Sequence, residues 1–410
     1  MAEQKFKFTK QEWIIVLFVA LGYFVDVYDI LLFSAVRKPS LTDIGVADLD
    51  QANIGLTLLN WQLFGMLVGG LAWGVWGDKK GRRAVLFGSI IMYSLATFGN
   101  AFVTSVEMYK VMRFVAGFGL AGELGAGIAL ITESVDRNRR TYATTIVASA
   151  GMLGGVTAAL VASKMHWQTS YIVGGVMGIV LLIFRLSVSD SELFKKVYNS
   201  SIGKGNLLQL FGKKKLLTRY LLCILVGAPS YVLAGTFITL APEFGQKLGL
   251  TTKPSGATAL LYFYVALTTF DALSGLLSKY LKSRKKALYI FFGFQFISVI
   301  LYLFVPVQSL SDFYLRCGLI GGSLGFWTIV VTNAAEQFGT NLRATVSTSV
   351  PNFARGLQIP FSFLYKSLAV SLGSIIYAGA TVAILSVLVG VVAVVFLKDK
   401  FENSADYIEY

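Results

Sequence analysis

Apolar runs of roughly 20 residues recur along the whole chain of 410 residues, and each is long enough to cross a hydrocarbon layer about 30 Å thick. Ala84 to Val103, Ala287 to Val305 and Ser374 to Leu397 are clean examples. The composition agrees, with 55% of residues hydrophobic and 14% charged, which is about half the charged share of a soluble domain. A soluble fold is therefore excluded. Spanning helices are predicted near 13 to 36, 52 to 74, 84 to 103, 110 to 132, 141 to 163 and 169 to 188. Six more are predicted near 217 to 240, 257 to 278, 287 to 306, 313 to 335, 344 to 368 and 372 to 397.

A net charge of +14 would suit a nucleic-acid partner only if the basic residues were gathered on one soluble face. They lie instead in short polar stretches between apolar runs: Lys79, Lys80, Arg82 and Arg83, then Arg137, Arg139 and Arg140, then Lys279, Lys282, Arg284, Lys285 and Lys286. Short cytoplasmic loops retain such residues, so both termini are expected in the cytoplasm and the chain in the inner (plasma) membrane. The apolar run after MAEQKFKFTK is too long for a signal peptide and lacks a small-residue cleavage site, so it is expected to remain as the first helix. The one long polar stretch, 189 to 216, contains Lys213, Lys214 and Lys215 and is read as a cytoplasmic linker resting on anionic headgroups. It divides the chain into a six-helix bundle over 1–188 and another over 217–410. The class is thus all-α membrane protein, twelve helices in two six-helix repeats, expected as a monomer.

The halves echo one another. Arg113, Glu133 and Arg140 are spaced by 20 and 7 residues, and Arg316, Glu336 and Arg343 repeat that spacing 203 residues later. Gly119 and Gly122 recur at the same offset as Gly322 and Gly325. Internal repeats are a common plan of secondary transporters, with the substrate site near the midplane between them. The segment Gly74, Asp78, Gly81, Arg82, Arg83 resembles the G-x-x-x-D-x-x-G-R-[KR] signature between the second and third helices of the major facilitator superfamily. The fourth helix, RFVAGFGLAGELGAGIALITES followed by Arg140, is similar to elements of its metabolite:proton symporter, sugar porter and organic-ion branches. The second-half loop departs from the signature, with Lys279 and Lys282 where the first half has Asp78 and Gly81.

Ionisable residues inside spanning segments are functional candidates by default. Asp26 and Asp29 fall on one face of the first helix, past the midplane, and two carboxylates that close oppose simultaneous ionisation. One of them can then carry a proton. Their stretch resembles the F-x-E-W-Y-D element of the symporter branch, with Tyr28 and Asp29 matching directly, and that resemblance implies proton coupling. Glu123 lies within a glycine-rich seam and reads either as a proton relay or as half of a buried ion pair. Arg185 and Lys366 fall near helix ends, where a long side chain reaches the interface, and Arg113 and Arg316, at the outer ends of equivalent helices, are expected either to do the same or to pair structurally. Asp271 is expected to pair with a basic loop residue. Arg355 lies near mid-membrane, roughly 18 Å beyond Arg343, and is the candidate anchor for an anionic substrate. Its stretch ARGLQIP resembles the eleventh helix of organic-ion carriers, with a shorter spacing to the Pro. Tyr28, Trp61, Gln62, Tyr231, Tyr262, Tyr264 and Trp327 are candidates for the cavity wall, with Tyr28, Gln62, Tyr231 and Trp327 placed against substrate. Asp78, Arg82, Glu133 and Arg140, with Glu336 and Arg343, are expected to form a cytoplasmic gate that opens and closes between states.

No nucleophile, metal-ligand cluster or phosphate-binding loop appears, so enzymatic function, a metal and a cofactor are not expected. Cys223 and Cys317 are read as buried small hydrophobes and His166 as a structural loop residue. The expected function is proton-coupled symport of a small anionic or carboxylate-bearing metabolite. A facilitator or exporter of a cationic solute, with the acids binding it directly, is the rival. A non-transporting membrane receptor is the rival from another class.

Overall fold

The computed structural model describes residues 8–80, 82–135, 137–189 and 212–401. The first half contains α1 (Lys10–Asp43), α2 (Gln51–Lys80), α3 (Arg82–Asn100), α4 (Val106–Ser134), α5 (Arg137–Lys164) and α6 (Trp167–Ser189). The second contains α7 (Lys214–Val226), α8 (Ala228–Leu233), a π-helical turn (Ala234–Ile238), α9 (Ala241–Lys247), α10 (Gly256–Tyr280) and α11 (Arg284–Leu303). α12 (Leu310–Ser323), α13 (Trp327–Gln337), α14 (Thr340–Gly356), α15 (Gln358–Ser371) and α16 (Ile375–Phe396) follow. Of the linker expected over 189 to 216, residues 190–211 fall outside the described residues, while Lys213 stands at the N-cap of α7 and Lys214 and Lys215 belong to its first turn.

Backbone in lipid has no water to bond, so these runs close their hydrogen bonds within helices. Nine of the described segments are long and apolar enough to cross a membrane, with α7 to the π turn and α12 to α13 each acting as one rod. The shorter α3, then α4 and the α14–α15 rod, complete twelve. Helix starts follow local chemistry. Thr9 and Glu12 form a reciprocal capping box on α1, and Ser105, Ser255, Ser283, Ser309 and Ser374 each cap the helix that follows.

Within the first half α2 packs tightly on α4. A Cβ on Gly65 would lie 2.2 Å from the Phe114 carbonyl oxygen, and one on Gly117 would lie 2.0 Å from that of Gln62. The absent side chains let two backbones touch, which is how helices associate where lipid removes the hydrophobic drive. Gly69 makes the same close approach, its Cβ position lying 2.3 Å from the Phe118 carbonyl oxygen, whereas Gly70 faces open space. The halves meet along two seams, α1 and α5 against α10, and α2 and α4 against α14 and α15.

Three rods of the second half are broken near their middles. Gly227 interrupts the seventh rod just before Pro229, Leu324 to Phe326 separate α12 from α13, and Leu357 separates α14 from α15. The sequence reading gave each as one continuous helix. Irregular backbone at membrane depth is tolerated where it is enclosed by protein or lines a cavity.

Candidate functional site

All three breaks border one cavity between the halves, with an empty volume of about 510 Å³. The second half lines it with Ser230, Tyr231 and Ala234 beside the first break, Leu324 and Trp327 at the second, and Arg355 at the third. The unbroken α1 and α5 supply Tyr23, Val27 and Met152 from the first half. Arg355 is buried, donates from Nε to the Tyr231 hydroxyl at 2.7 Å and from Nη1 to Asn352 Oδ1 at 3.3 Å, and stands over the Tyr231 ring at 5.4 Å. Tyr231 meets Trp327 edge-on at 5.2 Å. Both hydrogen-bond partners of the guanidinium are neutral, and no described carboxylate lies within ion-pair distance of it.

Tyr28 and Gln62 do not belong to this wall. The Tyr28 hydroxyl donates to the Ser170 carbonyl at 2.8 Å, and buried Gln62 accepts from Arg113 through Oε1, so both face partners inside the first half. Tyr23, five residues before Tyr28, takes the cavity place. Of the other aromatic candidates, Tyr264 lines the cavity, while half-exposed Trp61 packs with Phe64 and Phe114 and half-exposed Tyr262 stacks on Tyr314.

A polar interior lies behind α1. Asp29 Oδ1 accepts from Thr97 Oγ1 at 2.6 Å, while its Oδ2 has no hydrogen-bond partner. Arg113 donates to Gln62 through Nη2 and stands over the Phe33 ring, and its Nε and Nη1 are likewise unpartnered. A carboxylate and a guanidinium, each with bonding capacity unused, thus sit within one another's field. Asp26, also buried with Oδ1 unpartnered, lies in the field of Glu123, Arg355 and Arg185. Asp26 also lies in the field of Asp29, while Arg113 acts on Asp29, so the two acids share one electrostatic environment.

Glu123 is held by Arg185 through two parallel hydrogen bonds, one of 2.7 Å from Nη1 to Oε2 and the other from Nη2 to Oε1. Arg185 is fully buried over the Phe18 ring and does not reach the interface as expected. Between the two readings of Glu123, the geometry favours the ion pair. Of the two readings of Arg113, its burial and its bond to Gln62 favour structural pairing. Its repeat partner Arg316 keeps the spacing but not the setting, since it pairs with Asp312 at 2.7 Å and donates to the carbonyls of Leu301, Val305 and Pro306. Among the described residues Asp271 meets no basic loop residue and instead accepts from Thr328. His166 bonds Gln168 in the α5–α6 connection, in keeping with a structural role.

At the end of the bundle opposite the termini, polar bonds sew the halves together. Arg37 is buried, donates from Nη2 to both Glu243 oxygens at 2.8 and 2.7 Å, and from Nε to the Thr239 carbonyl at 3.0 Å. Its Nη1 donates to the Gln51 carbonyl at 3.0 Å. Ser34 bonds Thr239 at 3.0 Å, Asn60 donates to Ser362 at 3.0 Å, and Lys366 donates to the Asn53 carbonyl and Thr57 hydroxyl at 2.8 Å each. Lys366 thus spans the seam, not the interface. In the α1–α2 loop, a hydrogen bond from Lys253 holds the Asp48 carboxyl below its ordinary range. The sequence reading singled out neither Arg37 nor Glu243.

The expected gate at the other end is only partly visible. The side chains of Asp78, Arg82, Glu133, Arg140 and Arg343 lie outside the described residues. Glu336 joins Arg284 through two bonds of 2.8 and 3.1 Å, both residues belonging to the second half.

The sequence model named Major Facilitator Superfamily matches residues 19–361. A putative metabolite transport protein of Haemophilus influenzae is 26% identical over 356 residues, covering 82% of this chain and 84% of the relative. A putative niacin/nicotinamide transporter of Bacillus subtilis is 24% identical over 342 residues, covering 82% and 83%. The crystal structure of a D-xylose-proton symporter superposes with a TM-score of 0.71 at 16% identity, covering 94% of this chain and 96% of that one. The match spans both halves, the breaks and the cavity between them, and the chain belongs to the major facilitator superfamily.

Proposed function

We propose that this protein imports a small carboxylate-bearing metabolite together with protons, by alternating access, across the inner (plasma) membrane with both termini in the cytoplasm. The observation that carries the substrate class is Arg355, a buried guanidinium on the cavity wall bonded, among the described residues, only to neutral partners. A permanent charge at that depth is stable only if something matches it, and a planar fork suits carboxylate oxygens. The aromatic edges of Tyr231, Trp327 and Tyr264 then pack the apolar body of the ligand. A relative of Escherichia coli named as a sialic acid transporter supports the same chemistry.

Binding tests this directly. Nicotinate and benzoate are expected to bind purified protein, and nicotinamide and benzamide to bind far more weakly. Arg355→Lys should weaken the acids by roughly 10- to 100-fold, the scale of losing a hydrogen bond to a charged group. Amides that bind as tightly as their acids, or an Arg355→Lys variant of unchanged affinity, would remove the anionic reading.

Protons are assigned to the first half. Asp29, facing Arg113 with Oδ2 free, takes up and releases the coupled proton, and Asp26 links that charge to the cavity side of α1. Glu123 serves as the matched counter-ion of Arg185. The seam around Arg37 lies on the outer face by the distribution of basic loops, so the protein as described is closed to the outside.

That closure gives a second expected result. Glu243→Gln strips the charge partner from Arg37 and should shift the population toward outward-open. In an Ala234→Cys background, alkylation from outside by an impermeant maleimide should accelerate about tenfold, equivalent to ~1.4 kcal/mol in the opening equilibrium. An unchanged rate would show that the Arg37–Glu243 pair does not hold the outer side shut.

A further inference from the structure

Asp271 is a buried carboxylate on α10 that neither lines the cavity nor forms an ion pair among the described residues. Its Oδ1 accepts from the Thr328 backbone N–H at 2.9 Å, and its Oδ2 accepts from the Thr328 hydroxyl at 2.6 Å. Thr328 is the second residue of α13, the helix that restarts after the Leu324–Phe326 break, and Phe326 at the N-cap offers no side-chain cap. A helix start leaves its first N–H groups without partners and carries partial positive charge, so it calls for an acceptor, preferably anionic. Here the acceptor comes from another helix. The approach is close because a Cβ on Gly325 would lie 2.7 Å from the Asp271 backbone nitrogen.

The residue that opens α13 is Trp327, whose indole forms the cavity wall against Tyr231, which in turn accepts from Arg355. We infer that Asp271 is a positioning residue: it clamps the start of α13 so that Trp327 is held on the cavity wall, and thereby sets ligand affinity without touching ligand. A clamp at the helix start fixes the φ and ψ of the first turn, and with them the direction in which the Trp327 side chain leaves the backbone. An acid that spends both oxygens on the start of one helix is a fixed acceptor, in contrast to Asp26 and Asp29, each of which has an oxygen to spare.

The test labels the protein with 5-fluorotryptophan, which gives one resonance for each of the six tryptophans, and assigns Trp327 by its disappearance in Trp327→Phe. Asp271→Ala and the milder Asp271→Asn are expected to shift and broaden the Trp327 resonance and to speed hydrogen exchange at the Trp327 and Thr328 amides. Thr328→Val, which loses only the hydroxyl contact, should produce a smaller change in the same direction. Benzoate affinity should fall about tenfold in Asp271→Ala, with the pH dependence of uptake unchanged. An unaltered resonance and exchange rate in both Asp271 variants would overturn the inference. So would a lost pH dependence, which would make Asp271 a proton carrier, or a displaced indole with unchanged benzoate affinity. The affinity arm rests on the carboxylate reading of the cavity. If the wild type binds no benzoate, that reading fails, while the resonance and the exchange still decide whether Asp271 holds Trp327.

Discussion

Asp29→Asn is expected to abolish accumulation driven by a pH gradient while leaving exchange of labelled for unlabelled substrate. With one proton moved per substrate, a gradient of two pH units sustains an accumulation of about a hundredfold, since each unit is worth 1.36 kcal/mol. The variant should stop near onefold, because an amide cannot cycle a proton, yet it can still accept from Thr97 as Oδ1 does at 2.6 Å. Asp26→Asn is expected to fail in the same assay, since its carboxylate lies in the field of both the cavity arginine and the Glu123–Arg185 pair. Uptake in proteoliposomes with an imposed gradient measures both. Normal accumulation in both variants would sink proton coupling, and counterflow indifferent to pH would favour a facilitator.

The largest effect on stability is expected at Glu123. Its pair with Arg185 is dry on both sides, and Glu123→Ala would strand a guanidinium that cannot deprotonate. Breaking such a pair from one side costs about 3–5 kcal/mol, whereas replacing both partners with apolar residues of similar volume is often neutral or stabilising. Equilibrium unfolding in detergent should therefore show Glu123→Ala far below the wild type and the double variant Glu123→Leu, Arg185→Met close to it. A single variant within ~1 kcal/mol of the wild type would show the pair to be dispensable. The double variant also separates the two readings of Glu123. It should keep pH-driven accumulation if the pair is a structural counter-charge and lose it if Glu123 relays the proton.

Much of the architecture is written in hydropathy, because a spanning helix must be apolar over its whole length whatever it packs against. The breaks in the second half are not, since one Gly or a short turn scarcely alters the mean hydropathy of a rod. Gly227 with Pro229, and Gly321, Gly322 and Gly325, were the available local signals. Arg355 stood out because a charge in an apolar run needs an explanation, and Tyr231 and Trp327 lie where that charge requires neighbours. Tyr28 was preferred to Tyr23 through the family-like motif. Five residues turn a helix by about 140° beyond a full turn, enough to carry a side chain from cavity to bundle interior. Arg185 was misplaced because distance from a helix end says nothing of what a neighbouring helix brings, and Glu123 is 62 residues away in sequence. Arg37 escaped notice because α1 continues past the apolar run to Asp43, so its partner is set by the meeting of the halves.

The seam at Arg37 also changes what an affinity measurement means. On the proposed orientation, ligand added outside finds only the fraction of molecules whose outer seam has parted, so its apparent dissociation constant is the intrinsic one divided by that fraction. Each additional 1.4 kcal/mol of latch strength would make the same cavity look ten times weaker from outside, with no change in any residue that touches ligand. Solubilised protein, reached from both faces, should report tighter binding than sealed vesicles presenting only the outer face. The ratio of the two dissociation constants then gauges the latch.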